Sequence, residues 1–321
     1  SPKDFETMMQ LTYLTFTAPR RDDEAFASYK NRNKAALLNQ EMNPNVAFSD
    51  SITFALQMGH PRTIRMKADM IDNMDYNKIL AMYQDRYKDA SDFTFILVGN
   101  VDVESMKPLI AEYLGALPTI NRKESFKDNK IEYRKGVYKN EFVREQETAK
   151  ASNFVSFIGT CKYDLKNSIL QDMTCQIMDL VYTEKVREDE GGTYGVYVGG
   201  NLSKYPNEIA GIQIVFDTAP SKREKLMKII FAEIERISKE GPSEANLNKV
   251  KEFMLKKHAE DLKENSYWME SIDEYLFTGM NPIENYEQTV NSITAKDIQK
   301  FADDLFKQKN EVEVSMISPD K

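Results

Sequence analysis

The residue types and spacing best suited to chemistry in this 321-residue chain lie in one segment, Tyr182-Thr183-Glu184-Lys185-Val186-Arg187-Glu188-Asp189-Glu190-Gly191-Gly192-Thr193-Tyr194-Gly195-Val196-Tyr197-Val198. Arg187 carries a permanently charged, planar fork of N–H donors. Tyr194 carries a phenol that can donate to an oxygen on which negative charge develops during a reaction. Gly191 and Gly192 turn the chain between them. The same residues also read as a helix C-terminus with a compensating cation, followed by an aromatic residue at a strand edge. The local pattern leaves both readings open. In strand geometry Tyr194, Val196 and Val198 share one face, and Gly195 and Tyr197 point to the other.

Other site chemistries find little support. The two histidines, His60 and His258, have no histidine partner at helical spacing, and a zinc site built from this chain would need unusual ligands. There is no Walker loop, no G-x-G-x-x-G and no G-x-S-x-G elbow. Glu190-Gly191-Gly192-Thr193 follows a helix C-terminus, the wrong end for cradling an anion. Carboxylate pairs fall mostly on solvated helix faces. Cys161 and Cys175 are too few for a disulfide framework and read as small apolar fillers. A net charge of −8 with interleaved signs argues against a nucleic-acid surface. No apolar run approaches the roughly 18 residues of a membrane span.

The elements that must hold Arg187 and Tyr194 follow from hydrophobic period and punctuation. A helix beginning after Asp164 carries Leu165, Ile169, Met173, Ile177, Leu180 and Val181 on one face, has Lys185 and Arg187 in its last turn, and is broken by Gly191-Gly192. Strand patterns cover 137–145, 153–159, 193–200 and 209–216. Upstream, helices are expected over 4–17, 22–40, 46–57 and 75–88. A strongly apolar strand follows at 93–98, then a helix capped by Asp102.

The chain nearly repeats itself at an offset of about 220 residues, too long a period for a solenoid and suited to a duplicated domain. Phe5, Met8, Met9, Tyr13 and Phe16 align with Leu226, Ile229, Ile230, Ile234 and Ile237. Met58-Gly59-His60-Pro61 aligns with Gly279-Met280-Asn281-Pro282, and Phe93, Phe95 and Leu97 align with Val312, Val314 and Met316. The first copy has no counterpart of residues 137 to 218. The expected organisation is a partial domain over 1–118, a polar linker over 119–136 and a complete domain over 137–321. The expected class is α+β: two tandem homologous units, each an antiparallel or mixed sheet with helices on one face, the first truncated at its N-terminus.

Several of these features resemble the M16 family of zinc metallopeptidases, the relatives of pitrilysin, insulin-degrading enzyme and the processing peptidases. They are the duplicated α+β unit, the Phe93-x-Phe95-x-x-Val98-Gly99-Asn100 strand with its helix ending Tyr113-Leu114-Gly115-Ala116-Leu117-Pro118, and the Arg187/Tyr194 segment. In that family an N-terminal half binds zinc through His-x-x-Glu-His, and a similar C-terminal half closes over it around a peptide. Such a motif is absent here, so the resemblance implies the C-terminal, non-zinc half of an endopeptidase, inactive alone. Zinc would be held by an N-terminal M16 half, in the same parent chain or a separate subunit. Arg187 and Tyr194 would then be the catalytic pair that holds peptide substrate and stabilises the tetrahedral intermediate. The alternative is a non-catalytic M16-like subunit for substrate recognition or scaffolding. A third reading is an unrelated α+β binding domain with a coincidental repeat. The first copy is expected to be less stable than the second, or to self-associate through its incomplete sheet. The family's range makes a bacterial periplasmic or cytoplasmic setting the expectation.

Overall fold

A computed structural model of the chain describes residues 2–100, 102–188 and 195–319. Several of its helices begin where a short polar side chain accepts from the first free backbone N–H groups. Asp22 accepts from Ala25 N ahead of α2 (Asp23–Glu41), which follows α1 (Phe5–Thr17). Asn43 caps α3 (Pro44–Gln57), with Pro44 at a position that needs no donor. The short α4 (Ala68–Asp72) precedes α5 (Tyr76–Tyr87), capped by Asp75, and α6 (Val103–Tyr113). Strands β1 (Val137–Val143) and β2 (Ala151–Thr160) lead into α7 (Leu165–Tyr182), capped by Asp164. Next come β3 (Val196–Ser203), β4 (Ile209–Thr218), α8 (Arg223–Glu240) and α9 (Glu244–Asp261). The chain continues through α10 (Asn265–Thr278), α11 (Tyr286–Ser292), α12 (Ala295–Phe306) and β5 (Glu311–Ile317). Thr294 and Asp297 form a reciprocal capping box at the start of α12.

The chain divides into two compact units. One comprises Ser1–Met42, Met66–Lys127 and Trp268–Glu270, the other Asn43–Arg65, Asp128–Tyr267 and Ser271–Lys321.

The larger unit is built on a five-stranded mixed sheet in the order β1-β5-β2-β4-β3. The β1–β5 pair is parallel and the other pairs are antiparallel. Alternation along each strand sends successive side chains to opposite faces. Val155 and Phe157 of β2 and Ala210, Ile212, Ile214 and Phe216 of β4 face a core closed by α7, α8, α9, α11 and α12. Phe154, Val312 and Val314 belong to a separate cluster with Ala55, and Phe48, Ile52 and Leu56 of α3 pack against it. Phe154 and Val155 are neighbours on one strand, so α3 covers the face opposite to the other helices. The expectation of helices on a single face therefore holds for α7, α8, α9, α11 and α12 and not for α3. The helix expected over 46–57 is α3, and nothing local in the sequence says which sheet face it would cover.

In the smaller unit α1 buries Phe5, Met9 and Phe16. Phe5 and Met9 cluster with Met106, Leu109, Ile110 and Tyr113 of α6. Phe16 makes edge contacts with Tyr87 and Phe93, each at 4.9 Å between ring centroids. The strand expected over 93–98 forms no ladder. β propensity alone does not make a strand, and no neighbouring strand among the described residues supplies the missing hydrogen bonds. Phe93 and Phe95 stay 40% and 38% exposed, whereas Val312, Val314 and Met316 of β5 are at most 2% exposed.

Candidate active-site segment

Residues 183–188 continue α7 as one widened π-helical stretch, Thr183–Glu188. Such stretches are rare and are concentrated at functional sites. The backbone of Arg187 lies in it; the side chain of Arg187 and all of Tyr194 lie outside the described residues. The residues on either side are described, and they are held firmly.

On the helix side, Tyr182 is fully buried and its hydroxyl donates to the Ile230 carbonyl of α8 at 3.0 Å. Burial pushes its phenol well above the usual range, with the Glu233 charge adding to the effect and Arg236 opposing it. Tyr182 is thus a structural donor that stays protonated. Lys185 donates to the carboxylate of Glu233 on α8 at 2.8 Å. Glu233 is only 1% exposed and also accepts from Arg236 Nε, 2.9 Å from each oxygen. Arg236 in turn donates to the Gly241 carbonyl.

On the strand side, Gly195 adopts φ 155° and has open space where a Cβ would stand, so its requirement is conformational, not steric. Val196 and Val198 are buried in the core, while Tyr197 between them is 60% exposed. The alternation expected for these positions holds within the described part of the strand. Asp179 Oδ1 accepts from Val198 N at 3.2 Å, tying the end of α7 to β3. Val196 and Val198 pair with Phe216 and Ile214 of β4.

The supporting residues Asp179, Tyr182 and Glu233 carried no signal in the sequence. Glu233 and its partner Lys185 are 48 positions apart, and nothing local distinguishes Glu233 from the solvated carboxylates around it on α8.

The two histidines are engaged elsewhere. His60 Nδ1 accepts from Arg62 N, and Nε2 lies 3.1 Å from the Asn129 carbonyl. His258 is buried, bonds through Nδ1 to the Tyr267 hydroxyl and stacks on Tyr286 at 4.2 Å. Among the described residues no group of three or more His, Cys, Asp or Glu could hold a metal ion. The described residues therefore do not fit a zinc site. Both cysteines are free; burial pushes Cys161 up to about 11 and Cys175 up to about 12, the behaviour of unreactive packing residues. Among the described residues no helix is long and apolar enough to cross a membrane.

Comparison with known proteins places this mixed sheet and its packed helices in a family. Residues 73–254 match the family described as the peptidase M16 inactive domain, and the chain belongs to that family. It is 26% identical over 290 residues to a protein from Arabidopsis thaliana named zinc protease PQQL-like, covering 84% of this chain and 30% of that protein. The chain thus spans about a third of that curated relative's length. Its fold is similar to the crystal structure of the periplasmic protease PqqL from Escherichia coli, with a TM-score of 0.82 at 16% identity, covering 98% of this chain and 35% of the other. It is equally similar to a protease from Helicobacter pylori, with a TM-score of 0.83 at 15% identity, covering 99% of this chain and 77% of the other.

Proposed function

We propose that this chain is the C-terminal, non-zinc half of an M16-type zinc endopeptidase, contributing peptide-binding and charge-stabilising groups to a chamber shared with a zinc-bearing N-terminal half. Arg187 and Tyr194 are the contributing side chains: the guanidinium holds the peptide backbone, and the phenol donates to the oxygen that becomes negative as the tetrahedral intermediate forms. Zinc belongs, in this reading, to the N-terminal half, on the same parent chain or a separate subunit. The partial domain over 1–118 and the complete one over 137–321 are the tandem units of this half.

The observation that carries the reading is the fastening around the Arg187/Tyr194 segment. A catalytic pair must be presented with little freedom, because misplacement by about 1 Å can cost about 10²-fold in rate. Here a buried phenol, a buried carboxylate and a helix-to-strand hydrogen bond brace the residues flanking the segment. A solvated helix end would need none of these.

The test is hydrolysis of a fluorescence-quenched peptide by the longer protein that contains this chain and by this chain alone. The expected result is chelator-sensitive cleavage by the former and none by the latter. Cleavage by this chain alone would overturn the proposal. A longer protein that binds peptide without cleaving it would favour the alternative, an M16-like subunit for substrate recognition or scaffolding.

A further inference from the structure

We infer that Lys185 is a positioning residue, whose ion pair with Glu233 sets where Arg187 is presented. The inference rests on the proposed role of Arg187 and Tyr194 and extends it to a residue that touches no substrate. It starts from a redundancy. A carboxylate as buried as Glu233 needs a cationic partner, because a buried charge left alone is strongly destabilising. Arg236 meets that need by itself: its Nε lies 2.9 Å from both Glu233 oxygens, and its Nη1 is anchored on the Gly241 carbonyl. Lys185 is a second cation on an already neutralised group, and its side chain is 46% exposed.

What Lys185 adds is geometric. It lies two residues before Arg187, inside the π-helical stretch where the regular hydrogen-bond ladder of α7 has given way. Its ammonium fastens that stretch to α8, which is held in the core by Leu226, Ile230, Ile234 and Ile237. Tyr182, three residues earlier, bonds to the same helix at Ile230. Two bonds to one rigid element on the approach to Arg187 define both the position and the rotation of the helix end. The Asp179–Val198 bond fixes the return strand.

The test compares Lys185→Met and Lys185→Arg with Arg187→Ala and Tyr194→Phe in the longer, active protein, measuring kcat, KM and the melting midpoint. Lys185→Met keeps the stem and removes the charge, and Glu233 keeps Arg236. It is expected to lower kcat by about ten- to a hundredfold with little change in melting. Lys185→Arg, which can still reach the carboxylate, is expected to recover most of that loss. Full turnover in Lys185→Met, while Arg187→Ala and Tyr194→Phe are impaired, would overturn the tether and leave the site standing. Full turnover in those two variants would overturn the site itself. A kcat loss in Lys185→Met that tracks a fall in melting and is not recovered by Lys185→Arg would also count against positioning.

Discussion

Met58 and Gly279, which align at the offset of about 220 residues in the sequence, end their helices in the same left-handed backbone conformation, φ 55° and φ 81°. Each N–H bonds to the carbonyl four residues back, Phe54 and Tyr275, at 2.8 Å. Glycine adopts this conformation freely, whereas a side chain costs about 1 kcal/mol or more there. Met58 is 48% exposed, so its side chain returns little in burial. Met58→Gly should therefore raise stability by about 1 kcal/mol, read as a higher denaturant midpoint with unchanged slope.

Asp89 should make the smaller unit sensitive to acid. It is 1% exposed and accepts from the backbone N–H groups of Ser91, Ile120 and Arg122 at 3.1, 3.1 and 2.6 Å. Burial alone would push its carboxyl up, but the bonds from Ser91, Arg122 and Ile120 outweigh it and hold the group well below the usual carboxylate range. A depressed value in the folded chain stabilises above the unfolded value, about 3.8, and that contribution is lost as pH falls below it. Asp89→Asn should lower the melting midpoint at neutral pH and weaken the acid dependence. An unchanged acid profile would remove this role.

Glu311 acts in the opposite sense. Burial, then a hydrogen bond with Glu313 and its charge, push the Glu311 carboxyl up to about 7, and Lys139 pulls it partly back. A raised value means that the folded chain holds a proton the unfolded chain would release. The stabilisation is complete below about 4.5 and is lost as pH rises through about 7. Circular-dichroism melts between about pH 5 and pH 8 should show stability falling with pH, and Glu311→Gln should flatten that slope.

Tyr182→Phe tests the brace on the helix side. It removes the donor to Ile230 without changing the buried ring, so the expected loss is about 1 kcal/mol in stability. A loss of several kcal/mol would mean that the hydroxyl does more than this one bond.

How much of this was legible in the sequence depended on how local the cause was. The caps at Asp22 and Asp164 are written within a few residues, and their helices followed, whereas Asp102, also expected to cap, heads α6 without a side-chain bond to its backbone. The strands from 137 onward were also readable, as short apolar or alternating runs bounded by turn residues. The run 93–98 looked like β5 by composition, yet strand formation also depends on a neighbouring strand, which composition does not supply. The five residues of α4 are too few for a period to show. Arg187 and Tyr194 were singled out by spacing and resemblance, whereas Glu233 and Tyr182 matter only through contacts with residues about 48 positions away, which no local pattern encodes.

The most direct measurement is steady-state turnover of a quenched peptide by the longer, zinc-loaded protein proposed above, carrying Arg187→Ala or Tyr194→Phe, alongside melting of each variant. The account predicts turnover lower by about 10² to 10³ for the lost oxyanion donor, with melting unchanged. Unaltered turnover in both variants would contradict it.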